Sequence, residues 1–260
     1  MAKNMLSCRI GSYGPFELHS FEHLAGIGVK YLEYPLPSSD KAAEMLKDLL
    51  QEFDLKIGSF QANFDPLEDK KFDDQVQQAI DMAGQFDVKV LFTSIKGDTN
   101  FKKNERLFAR LRVLGDRVKE KGIKVCLETH PELVLNGKVG KKTMEAINHE
   151  AIRINFDTAN MYYYNKAIDS SKELEHIINY VGSVHLKDTD GKYHSWCFPA
   201  LGKGIVKFPE ILKRLNSASV NFFGPFTMEI EGIRGETLTL ELAKQRVEDS
   251  VKYLKSIADF

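Results

Sequence analysis

Short apolar runs recur along the chain, and each is followed by a longer stretch in which apolar residues return every three or four positions. A strand alternates its faces with a period of two and a helix with a period of 3.6, so this pattern predicts strands alternating with amphipathic helices. The strands are expected at 7–11 (SCRIG), 30–35 (KYLEYP), 56–61 (KIGSFQ), 88–94 (VKVLFTS), 123–128 (IKVCLE), 153–157 (RINFD), 183–187 (SVHLK) and 226–231 (FTMEIE). Among the helical stretches, 41–53 carries a stripe of Ala42, Met45, Leu49 and Phe53, and 104–121 one of Leu107, Leu111, Leu114 and Val118. Ser38, Ser39 and Asp40 are candidate N-caps of the first, while Gly28 and Gly122 stand where a helix C-cap precedes a strand. Eight strand–helix units in succession predict an α/β chain, a single (β/α)8 TIM barrel over residues 1–260. An open doubly wound sheet loses ground because neither GxGxxG nor GxxxxGK[ST] occurs.

Size and charge narrow the picture. At 260 residues the chain matches the ~250 typical of such a barrel. A formal net charge of −1 offers no pull toward nucleic acid or an anionic membrane, so neither is expected as a partner. The opening MAKNMLSCRIGSYG has no apolar run of the kind a secretory leader needs. Three cysteines, Cys8, Cys126 and Cys197, fit neither a zinc finger nor a CxxC motif. The expectation is a cytoplasmic protein with reduced thiols, free to associate as a homo-oligomer.

The chemistry gathers at the ends of the last four strands, which in a barrel of this kind form the reactive mouth. They offer Glu128, Asp157, His185 and Glu229, with Glu231 two residues beyond. Lys124, Cys126 and Glu128 share one strand face, as do Asn155 and Asp157, and Ser183, His185 and Lys187. The opposite faces are apolar (Val125 and Leu127, Ile154 and Phe156, Val184 and Leu186) and suit packing against outer helices. The polar faces therefore look into the barrel, where unpaired carboxylates are very costly. A divalent cation compensates them most simply. One imidazole among carboxylates is a hard donor set that favours Mn2+, Mg2+ or Co2+, with Zn2+ also accommodated.

Around this cluster, Glu33 and Gln61 end the second and third strands at the same mouth, where either can hydrogen-bond a substrate. His130 is a base, a ligand-orienting partner or a loop residue. Lys187 either binds a substrate oxygen or phosphate or neutralises the carboxylates. The loop HSWCFPALGKG (194–204) is read as an apolar lid bearing Trp196 and Phe198, freed by Gly202 and Gly204, or as a packed surface loop.

The motifs LETHPE, NFDTANMYY, VHLKD with the following GKGIVKFPEIL, and TMEIEG resemble the xylose isomerase-like barrel superfamily, in particular sugar phosphate isomerases and epimerases. The resemblance implies one divalent metal held by Glu128, Asp157, His185 and Glu229, with Glu128 and Glu229 also catalytic as acid and base. It is this pattern that selects Glu229 over Glu231 as the ligand and leaves Glu231 to the substrate. The implied reaction is proton abstraction beside a carbonyl through a metal-stabilised enediolate, on a carbohydrate substrate. Many epimerases of the superfamily carry an arginine soon after the strand-seven histidine. Here that stretch holds Trp196, Phe198, Pro199 and Leu201 instead, which leaves the sugar open and admits a larger, partly apolar glycoside. An alternative on the same scaffold is a lyase or dehydratase acting on an inosose or a 3-keto-glycoside. A nuclease resembling endonuclease IV is a third reading, disfavoured by the charge and by the early strand ends.

Overall fold

Where apolar and polar residues alternate most cleanly, the chain is extended as expected, and the strand ends fall close to the expected ones. The structure, a computed structural model, describes residues 4–217, 222 and 224–260. In chain order the strands are β1 (Leu6–Arg9), β2 (Tyr31–Pro35), β3 (Lys56–Gln61), β4 (Val90–Thr93), β5 (Lys124–Glu128), β6 (Ile152–Asp157), β7 (Val181–Leu186), β8 (Cys197–Phe198), β9 (Phe226–Met228) and β10 (Gly232–Ile233). β1 to β7 and β9 pair in parallel and close into one barrel, with Leu6 of β1 beside Phe226 of β9. β8 and β10 form a separate antiparallel pair above the mouth, with Phe198 opposite Gly232.

The eighth barrel strand ends at Met228 rather than at 231. Gly232 has φ +79°, and the Ile230 N–H donates to Ser12 Oγ at 3.0 Å, so the chain leaves the ladder and bends toward the loop after β1. Glu229 and Glu231 are carried over the mouth by this bend.

The helices are α1 (Ser20–Gly26), α2 (Asp40–Glu52), α3 (Asp69–Gln85), α4 (Glu105–Lys119), α5 (Gly137–Ile147), α6 (Asn160–Tyr164), α7 (Ser170–Ile177), α8 (Phe208–Leu215) and α9 (Leu240–Ile257). Ser39 caps α2, its hydroxyl accepting the Ala42 N–H at 3.3 Å. The stripe expected for α2 is out of phase by one residue. Ala43, Leu46 and Leu50 are buried, whereas Met45 is 62% exposed. The apolar residues of α2 come in doublets (Ala42–Ala43, Met45–Leu46, Leu49–Leu50), so periodicity alone fits two adjacent phases, and packing selects one. In α4 no such ambiguity exists, and Leu107, Leu111, Leu114 and Val118 are all buried as expected. Gly28 and Gly122, at φ +76° and +68°, close α1 and α4, with Val29 N–H donating to Leu24 O and Ile123 N–H to Val118 O. No helix among the described residues is long and apolar enough to cross a membrane.

The two faces of each barrel strand divide as the alternation predicts. Leu32, Phe60, Leu91, Val125, Leu127, Ile154, Phe156, Val184 and Leu186 join the core between strands and helices. Inside, Ser59 donates to Glu33, Ser183 donates to Asn155 at 2.6 Å, and Asn155 donates to Glu128 at 3.2 Å. A polar thread thus rises through the barrel and ends at the mouth.

Candidate metal centre and active site

Glu128 ends β5, Asp157 ends β6 and His185 lies near the end of β7, and the β5–β6–β7 register brings the three together. One ligand atom from each falls within 4.8 Å of the other two, and all three residues are buried. Asp157 is oriented by its own backbone turn. Its Oδ1 accepts the N–H groups of Ala159 and Asn160, both at 2.8 Å, which leaves Oδ2 buried without a hydrogen bond. His185 Nδ1 lies 3.1 Å from Glu229 Oε2 and 3.5 Å from Glu128 Oε2 yet makes no well-aligned hydrogen bond. Buried polar atoms are almost always satisfied, so two such atoms beside carboxylate oxygens make a group that could hold a cation. The residues present therefore fit a divalent ion: oxygen-rich, one imidazole nitrogen, no thiolate.

Glu33, expected at the mouth, does not line the cavity. It is 2% exposed and lies beneath the cavity floor, accepting from Ser59 Oγ at 2.8 Å and facing His185 Nε2 at 3.0 and 3.2 Å. A carboxylate only accepts, so Nε2 donates to Glu33, and a bound ion would take the Nδ1 lone pair in place of the proton that the facing carboxylates hold there in the ion-free protein. This is the carboxylate–imidazole arrangement that orients a metal ligand. Glu33→Gln is accordingly expected to weaken Mn2+ binding at least about 10-fold with little loss of fold, measured by calorimetric titration. Unchanged affinity would remove Glu33 from this role.

Glu229 is steered by two cations. Arg9 Nη1 meets its Oε1 at 2.8 Å, and Lys187 Nζ lies 3.4 Å from its Oε2. Arg9 Nη2 also donates to Gln61 Oε1 at 3.0 Å. Lys187 pairs closely with Glu231 and lies 3.8 Å from Asp157 Oδ2.

The electrostatics follow from this crowding. Burial drives the Glu128 carboxyl well above the ordinary range, against the pull of His185. Burial likewise pushes Asp157 up to about 6, with Lys187 opposing. Burial would also raise Glu229, but Lys187 and His185 outweigh it and hold that carboxyl well below its usual range. For His185, burial favours the neutral ring, yet Glu33, Glu128 and Glu229 together hold it well above the ordinary imidazole value. Burial disfavours the Lys187 ammonium, but Glu229, Asp157 and Glu231 more than restore it. Without a bound cation the cluster gathers protons, the behaviour of a site shaped for positive charge.

Above the cluster lies a cavity of about 270 Å³. Of the residues singled out from sequence, Gln61, Glu128, His130, Lys187, Trp196, Glu229 and Glu231 line it, while Asp157, His185 and Glu33 lie below. His130 meets the Tyr164 ring edge-on at 5.4 Å, and burial with nearby Lys187 keeps its imidazole below the ordinary value and hence neutral near pH 7.

The loop carrying Trp196 and Phe198 is fastened, not freed, by its glycines. Asp188 accepts the N–H groups of Gly202, Gly204 and Val206, and a Cβ on Gly204 would come within 2.3 Å of Asp188 Oδ1. Gly204 is required by close approach, and Gly202, at φ +84°, by its backbone conformation.

Sequence reading missed Arg9, Phe92, Ser94 and Asn160 as cavity residues, whereas Tyr163 and Tyr164 stand in the run MYYYN, which with the apolar loop suits a partly apolar substrate. Arg9 had a signal: it is the one charged residue in the apolar run Leu6–Ile10, at a strand end. It brings a guanidinium to the mouth from the first strand, although the stretch after His185 holds none. Asn160 and the two tyrosines depend on how tightly the chain turns after Asp157 and had no periodic signature.

Comparison with known proteins places this geometry. No curated protein matches the sequence. Among solved structures, a D-allulose 3-epimerase from Methylomonas sp. in complex with D-allulose superposes with a TM-score of 0.76 at 18% identity, covering 99% of this chain and 98% of that one. The probable 3-DHS dehydratase AsbF of Bacillus anthracis gives 0.74 at 17%, covering 96% and 98%. The IolI protein with a bound zinc atom gives 0.75 at 17%, covering 100% of both. At these identities the likeness is one of fold. Residues 21–257 match the model of one family, and the chain belongs to it: the xylose isomerase-like TIM barrels.

Proposed function

We propose that the protein is a divalent-metal-dependent sugar isomerase or epimerase, moving a proton at a carbon next to a carbonyl. The observation that carries this reading is the convergence of Asp157 Oδ2 and His185 Nδ1, both buried and unsatisfied, with Glu128 at the floor of a polar cavity. Glu128, Asp157 and His185 would hold the ion, and Glu229, whose Oε2 lies 3.1 Å from His185 Nδ1, would complete the set. Mn2+, Mg2+ and Co2+ suit these donors best, and Zn2+ is also accepted. When bound, the ion polarises the substrate carbonyl and stabilises negative charge as it develops on oxygen.

The protein's own groups do the rest. Glu128 and Glu229 move the proton: one removes it from carbon and the other returns one, either to the same carbon or to its neighbour. Arg9 fixes the Glu229 carboxylate, and Asn155 fixes that of Glu128. Gln61 and Glu231 face the space where sugar hydroxyls lie. The sugar epimerase among the structural neighbours supports the same class.

His130 favours a second reading. A neutral imidazole facing the cavity is a further base, which β-elimination from an inosose or 3-keto-glycoside would use. A dehydratase among the neighbours is consistent with it. Product analysis by NMR in D2O, with ketoses, inososes and 3-keto-glycosides, separates the two. A deuterated epimer or isomer with no group lost is the expected result. An unsaturated product or a released aglycone, abolished by His130→Ala, would transfer the assignment to a lyase.

A further inference from the structure

Two features of the cavity bear on the substrate: its saturated cations and its aromatic wall. The permanent cations are Arg9 and Lys187. Arg9 spends its guanidinium on Glu229, Glu33 and Gln61. Lys187 has Glu231, Glu229 at 3.4 Å and Asn160 at 3.5 Å around its ammonium, with the Phe198 ring 4.3 Å away. Five carboxylates (Glu33, Glu128, Asp157, Glu229 and Glu231) face these two cations, and a bound divalent ion still leaves the site net negative. A phosphate dianion would meet repulsion and no unengaged lysine or arginine donor at this floor.

Beside Lys187 the wall is aromatic. Tyr163, Tyr164, Phe198 and Trp196 line it, Trp196 lying 5.2 Å from Phe198 and 6.2 Å from Tyr163 between ring centres. Phe198 is buried at the inner end, whereas Trp196 is 39% exposed at the outer one. The wall is built rigidly. Phe198 belongs to the β8–β10 pair, Arg234 N–H donates to Trp196 O, and His194 N–H donates to Tyr163 O. A single sugar ring can stack its C–H face on one of these rings but cannot cover all four, whereas a second, apolar ring extends the contact out to Trp196.

We infer that the substrate is an uncharged glycoside carrying a ketone in its sugar ring, with that ring over the carboxylates and its aryl or similarly apolar substituent packed on Trp196, not a sugar phosphate. This rests on the carbohydrate reading above and narrows it.

Trp196 is the only tryptophan in the chain, so its emission reports on this subsite alone. The Mg2+-loaded protein is titrated with phenyl β-D-glucopyranoside, methyl β-D-glucopyranoside and glucose 6-phosphate, by fluorescence and by calorimetry. The phenyl glycoside is expected to shift Trp196 emission to the blue and to bind about 10-fold more tightly than the methyl glycoside. Glucose 6-phosphate is expected to bind no better than the methyl glycoside. By calorimetry, Trp196→Ala should erase the phenyl advantage and Trp196→Phe should retain most of it. Equal affinity for the two glycosides, tightest binding by the phosphate, or binding of none at millimolar concentration would overturn the inference. The carbohydrate-isomerase reading fails separately, on absence of hydrogen exchange with ketoses. Exchange without phenyl preference sinks only the subsite, and phenyl preference without exchange sinks only the isomerase.

Discussion

Glu229→Gln is expected to lower solvent deuterium incorporation into a ketose by about 10³-fold or more. The amide keeps the size of the carboxylate and still offers Arg9 an oxygen, so the fold should survive. It cannot take a proton from carbon, and it is a poor ligand. Glu128→Gln is expected to do the same, for Asn155 can still meet the amide while the second oxygen is lost. Because the two carboxylates serve one reaction, the double variant should be little worse than either single one. Glu231→Gln is the informative comparison. Glu231 pairs with Lys187, whereas Glu229 reaches the cluster itself, its Oε2 3.1 Å from His185 Nδ1, so the loss of Glu231 should cost less than about 10-fold. Exchange rates followed by NMR decide the matter. A larger loss in Glu231→Gln than in Glu229→Gln would exchange the roles of the two glutamates.

The second large effect concerns stability. The folded, ion-free chain holds Asp157 up to about 6, from an ordinary 3.8, and holds His185 well above its ordinary 6.5. Both groups thus bind protons in the folded state that the unfolded chain has released, and the stability they confer is lost as pH rises. For Asp157 the loss falls between about pH 4 and pH 6 and amounts to roughly 3 kcal/mol. For His185 it continues above pH 6.5. Glu229 works in the opposite sense, but its window lies below pH 4.5. A divalent ion replaces these protons, so the rise in Tm on adding saturating Mn2+ should grow from pH 5 to pH 8, by roughly 5 °C or more. Differential scanning calorimetry across that range tests it. A gain that is flat or that shrinks with pH would mean the ion does not displace protons from this cluster.

The barrel was legible because strand alternation is a two-fold signal that survives even where every residue is buried. Val125 and Leu127 against Cys126 and Glu128 could be assigned to faces from sequence alone, and the register then brought Glu128, Asp157 and His185 together. Helix phase was less secure wherever apolar residues came in pairs, as in α2. Among the site residues, those on strands were the readable ones. Asn160, Tyr163 and Tyr164 come from the turn after Asp157, and Trp196 and Phe198 from a loop whose course is set by Asp188 and by the β8–β10 pair. Glu33 was found at the right strand end, but its partner, His185 beneath the cavity, comes from a strand far along the chain and could be learned only from the closed barrel. Arg9 shows the opposite case, a position readable from its strand whose partners could be learned only from the closed barrel.

The central claim is that an ion held by Glu128, Asp157 and His185 enables proton removal beside a carbonyl. The most direct measurement is the NMR rate of deuterium entry at the carbon next to a ketose carbonyl, for one preparation loaded with Mg2+, stripped with EDTA and then reloaded. Exchange in the loaded protein, lost on stripping and regained on reloading, is the predicted result. Exchange that persists after the ion is removed, or that is absent from the loaded protein with every ketose, would contradict it.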